Sequence, residues 1–104
     1  MSAFKEGVWR IETVLVNKKT VMNNEGFVQF EVADGELVIQ PMGMKFRIQP
    51  ETMFSAALVS AGQIYYADWT VDEDQIELNL SRPEFKDLIT IHATLATKRE
   101  PSFA

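Results

Sequence analysis

The chain has 104 residues, enough for one hydrophobic core and too few for two. Hydrophobic residues make up 46% of it and charged residues 24%, which excludes a disordered chain, and the lack of cysteine excludes disulfides, thiolate nucleophiles and zinc–thiolate centres. The formal charge is -5, and the bases are scattered, adjacent only as Lys18–Lys19 and Lys98–Arg99, so the balance argues against nucleic acid and anionic membranes as partners.

A single domain over residues 1–104 is the expectation, with 98–104 as a frayed tail. The opening Met1–Glu6 lacks the apolar run of a signal peptide and no stretch approaches a membrane span, so the chain as given reads as cytoplasmic.

Period-two alternation runs along the whole chain and predicts strands. Trp9, Ile11, Thr13 and Leu15 share one face of a first strand. Val28, Phe30 and Val32 alternate with Gln29 and Glu31, and Asp34–Gly35 then supplies a hairpin turn into Leu37 and Ile39. Met44, Phe46 and Ile48 alternate with Lys45, Arg47 and Gln49 until Pro50, which lacks a ladder donor and is expected to close the strand. Residues 52–60 have no clean period and fit a strand or a short helix; their neighbours favour a strand. Gln63 to Val71 places Tyr65, Ala67, Trp69 and Val71 on one face, and Asp72–Glu73–Asp74 turns into Ile76, Leu78 and Leu80. After a bend at Arg82–Pro83–Glu84, Ile89, Ile91, Ala93 and Leu95 face one way and Thr90, His92 and Thr94 the other.

About eight strands joined by short turns predict an all-β domain. A meander leaves two exposed edges unless it closes, so a short antiparallel up-and-down barrel is preferred to the alternative, a Greek-key sandwich.

Gly7-Val8-Trp9 resembles the Gly-x-Trp signature of lipocalins and their calycin relatives. The resemblance implies that Trp9 plugs the closed end of the barrel and that Lys98 or Arg99 lies across its indole, a cation–π contact worth about 0.5 to 2 kcal/mol. Most of the chain is similar to the small lipocalin-like domains of planctomycete bacteria. The opening strand from Trp9 to Lys19, the segment from Val28 to Asp34–Gly35, the hairpin Trp69–Ile76 with Glu73 in place of a glycine, the Arg82–Pro83 bend and Lys98–Arg99 carry that likeness. It implies a fold and no assigned reaction.

His92 is the only histidine, so general-base, triad or histidine–haem chemistry would have to pass through it. It is expected on the outer, polar face, and the further glycines of haem-binding calycins are missing. The acidic run at 72–74 lacks the staggered ligands of a calcium loop and reads as a solvated turn. No metal and no cofactor are implied, and a catalytic role has no motif behind it.

A barrel of eight strands is just wide enough to be filled by its own side chains or to hold one small ligand. Bulky inward residues favour filling, whereas Ser55–Ala56–Ala57 and Ser60–Ala61–Gly62 leave room for a void. The expected site for a small hydrophobic ligand is lined by Phe30, Phe46, Ala56, Tyr65 and Trp69. The function expected is a non-catalytic binding module, with a structural or protein-interaction domain with a filled core as the alternative and, ranked below both, a calycin-type enzyme or haem binder.

Overall fold

Alternating apolar and polar side chains fold in the computed structural model into nine antiparallel strands. Residues 5–20, 27–82, 84 and 86–98 are described, Thr97 and Lys98 by their backbone alone. The strands are β1 (Gly7–Val16), β2 (Lys19–Thr20), β3 (Phe27–Ala33), β4 (Glu36–Pro41), β5 (Met44–Thr52), β6 (Ser55–Ser60), β7 (Gln63–Asp72), β8 (Gln75–Ser81) and β9 (Leu88–Lys98). β1 pairs with both β2 and β3, β3 to β9 pair in succession as a meander, and β1 pairs with β9, from Gly7↔Lys98 to Val16↔Ile89. The result is a closed eight-stranded barrel with β2 as a short addition beside the end of β1. Closure leaves the described barrel strands with a partner on each side over part of their length, which resolves the edge problem of an open meander.

The turns follow from local chemistry. Asp34 and Gly35 both take positive φ, 53° and 78°, as the tight hairpin requires. Asn17–Lys18 and Ala61–Gly62 do the same, and Glu73 takes φ 57°. Gly7, with φ 143°, stands in a region that L side chains avoid, a backbone reason for the glycine two residues before Trp9.

The core is apolar. Trp9, Phe30, Leu58 and Ile91 are fully buried, with Leu37, Ile39, Phe46 and Leu78 close to it, and no polar or charged side chain is buried among the described residues. The outer faces of β8 and β9 carry Glu77, Asn79, Thr90, His92 and Thr94 instead, an apolar-in, polar-out order opposite to that of a lipid-facing barrel. No helix among the described residues is long and apolar enough to cross a membrane.

Several local expectations are corrected. The inward row of β1 does not continue through Thr13 and Leu15: a register shift between Ile11 and Thr13 moves it to Val14, which is 3% exposed. A bulge sets two residues against one and so exchanges the faces beyond it. A second shift between Phe27 and Gln29 turns Val28 outward and packs Phe27 on the core in its place. Pro50 does not end its strand, because β5 continues to Thr52. Its pairing with β4 stops at Glu36↔Arg47, and the register with β6 shifts between Pro50 and Thr52, so the proline sits where the ladder is one-sided and irregular. Lys98 belongs to β9 and not to a frayed tail. Residues 52–60 hold a turn and β6, the extended alternative. Pro83 of the predicted bend and the tail beyond Lys98 lie outside the described residues.

Candidate functional site

The two ends of the barrel differ in how they are closed. β1 starts at one end, and β3, β5, β7 and β9 run toward it from the other. At the first end Trp9 stacks on Phe30, with ring centroids 6.0 Å apart, and its indole N–H donates to the Lys5 carbonyl at 3.1 Å. The Lys5 ammonium donates to the Glu73 carbonyl at 2.8 Å, and Glu6 accepts from the Asp34 backbone N–H at 2.9 Å. The segment before β1 thus ties together the β3–β4 and β7–β8 turns beside the buried indole.

At the opposite end the strands begin with apolar side chains that are only half buried. Phe27 and Met44 begin β3 and β5, Ile89 is the second residue of β9 and Tyr65 the third of β7, and all four pack on the core. Below them Phe46 meets Tyr65 edge-on, 5.3 Å between centroids and 87° between planes. The Arg82 guanidinium lies 5.4 Å from the Tyr65 ring centre and 3.9 Å from Asp87. The Tyr65 hydroxyl donates to Gln63 at 3.2 Å. This end therefore carries partly buried apolar side chains with the polar groups of Gln63, Arg82 and Asp87 beside them.

The five residues expected to line one site are divided between these regions. Phe46 and Tyr65 touch at the half-buried end. Phe30 belongs to the Trp9 stack, while Trp69, whose backbone N–H donates to the Phe54 carbonyl at 3.3 Å, lies in the lower half of β7. Ala56 is 2% exposed and opposes Ala67 near the same end. Of the small residues expected to open a void, Ala61 and Gly62 form an exposed turn and do not reach the interior. Phe27 and Ile89 complete the half-buried set. Phe27 was hidden by the bulge beside it, and only its place as the first aromatic of a strand signals it.

The backbone of Lys98 pairs with Gly7, so β9 closes on β1 beside Trp9. The Lys98 side chain and Arg99 lie outside what is described, and the cation expected over the indole lies there with them. The described contacts of the indole are Phe30 and the Lys5 carbonyl.

His92 faces outward, as expected, with Nε2 3.2 Å from Glu77 Oε1. An outer groove of about 360 Å³ includes both, with Glu12, Thr70 and Asp72. No cluster of three or more His, Cys, Asp or Glu able to hold a metal occurs among the described residues. His92 points away from the barrel interior, so a ligand held inside would not meet it.

Comparison of the chain with protein-family models, with curated proteins and with solved structures returned no match.

Proposed function

We propose that this chain is a non-catalytic binding module that takes a small apolar molecule at the end of the barrel opposite Trp9. One observation carries this: Phe27, Met44, Tyr65 and Ile89 are packed against the core yet only partly buried, at the end of the barrel opposite the hydrogen bonds that Lys5, Glu6 and Trp9 make. Covering such surface gains about 25 cal/mol per Å² of apolar area removed from water. The likeness of Gly7-Val8-Trp9 to the lipocalin signature, and of Trp69–Ile76 to the planctomycete-type lipocalin-like hairpin, supports the same reading and the same family.

A structural or protein-interaction domain with a filled core is the second reading. It draws on the fully buried Trp9, Phe30 and Leu58 and the nearly buried Phe46 and Leu37. Titration with anilinonaphthalene sulfonate separates the two. The first requires saturable binding at one site, weakened at least tenfold by Met44→Glu at the mouth. Absence of saturable binding, or binding indifferent to Met44→Glu, overturns it in favour of the second.

A further inference from the structure

The outer face carries single exposed apolar side chains at Val16 and Val28, but on β6 and β7 they form adjoining rows. On β6 and β7, Leu58 and Tyr65 point to the core, so Ala57, Val59, Ile64 and Tyr66 fall on the outer face, paired as Ala57↔Tyr66 and Val59↔Ile64, with Ala57 itself covered and Val59 half-buried. Ile64 is 51% and Tyr66 47% exposed. This two-faced apolar character is why residues 52–60 show no clean period: a strand apolar on both sides loses its alternation.

The apolar rows meet a basic edge. Val59 is also paired with Arg47 of β5, and Arg47 with Glu36 of β4. A groove of about 270 Å³ lies between them, lined by Lys45, Arg47, Glu36, Val59 and Ser60 and by the Ala61–Gly62 turn. Lys45 is 3.9 Å from Glu36. The Arg47 side chain makes neither an ion pair nor a hydrogen bond among the described residues. Two cations against one carboxylate make this groove locally positive, in a chain whose net charge is -5.

We propose that the outer face of β5, β6 and β7 docks a protein partner through a segment that sets acidic side chains beside aliphatic or aromatic ones. A guanidinium binds a carboxylate through two parallel N–H donors, which orients as well as attracts. Exposed Ile64 and Tyr66, two strands away on the same face with Val59 between Arg47 and Ile64, supply the apolar contact that surrounds such an anchor in interfaces. Charge favours a foreign acidic segment over a second copy, since two copies bring like net charges together. The docking face lies on the barrel wall and is independent of any ligand at the mouth.

Selection of random peptides displayed on phage against the full chain tests this. The expected result is enrichment of peptides that combine Asp or Glu with Leu, Ile, Phe or Trp. Their affinity should fall at least tenfold for Arg47→Glu and at least fivefold for Ile64→Ser, and stay unchanged for Glu77→Lys, which lies on β8 outside this face. All three positions are exposed or paired only at the surface, and circular dichroism checks that the variants keep the strand spectrum. Enrichment without acidic residues, no enrichment, equal binding by Arg47→Glu, or a chain that dimerises until Ile64→Ser separates it would each overturn the proposal.

Discussion

Trp9 lies flat against Phe30, 12° from parallel, and the two residues face each other in the register between β1 and β3. The indole is wholly buried at the point where the first strand also meets the last, with Leu95 opposite Trp9. One side chain therefore packs on the strands that flank β1 at the closed end.

Trp9→Ala is expected to destabilise the chain by about 3 to 5 kcal/mol in urea unfolding, the range for losing a large buried aromatic. Trp9→Phe should cost less, because it keeps a ring against Phe30 and loses the bond to the Lys5 carbonyl and only part of the buried indole volume. Equal losses for the two would show that the stack contributes little.

The seam between β1 and β9 has a second latch at the other end. The Asn17 backbone N–H donates to the Leu88 carbonyl at 2.8 Å, and its side-chain oxygen accepts from the Leu88 N–H at 3.0 Å. Asn17 does this at φ 53°, a conformation asparagine tolerates and alanine does not. Asn17→Ala is expected to cost about 1 to 2 kcal/mol, whereas Asn17→Gly should cost less because it restores the backbone freedom.

Glu73 sits at φ 57° in the β7–β8 turn and contributes its backbone carbonyl to Lys5. Glu73→Gly removes the steric cost of that conformation, offset in part by greater freedom in the unfolded chain. A gain of roughly 0.5 to 1 kcal/mol is expected, seen as a rise of a few degrees in Tm. A fall in Tm would mean that the side chain itself holds the turn.

The His92–Glu77 pair lies on the surface, with side chains 44% and 53% exposed. His92→Gln should change stability by less than about 1 kcal/mol and leave ligand binding at the barrel mouth unaltered. A loss of binding would place the site on the outer wall.

Much of the barrel was legible in the residues. Leu37 and Ile39, Phe46 and Ile48, and the rows of β7 to β9 alternate cleanly, and Asp34–Gly35 announces its turn, because one face of each strand is buried and the other solvated. The two bulges were not legible. Thr13, Val14 and Leu15 are all compatible with a strand, so nothing in their order says where an extra residue switches the inward face to Val14. Pro50 misled for a related reason, since whether a missing N–H matters depends on a neighbour strand that stops at Glu36. The mouth was half legible: Met44, Phe46 and Tyr65 follow from alternation. That Phe30, Ala56 and Trp69 belong to other levels of the barrel depends on strand direction and pairing, which local sequence does not carry.

The most direct test of the central claim is nuclear magnetic resonance mapping of side-chain shifts on saturation with anilinonaphthalene sulfonate. Binding at the mouth predicts that the largest changes fall on the Met44 and Ile89 methyls and the Phe27 and Tyr65 rings, with Ile64 and Met53 unmoved. Changes confined to Ile64, Tyr66 or Met53 on the outside, or none at all, would contradict it.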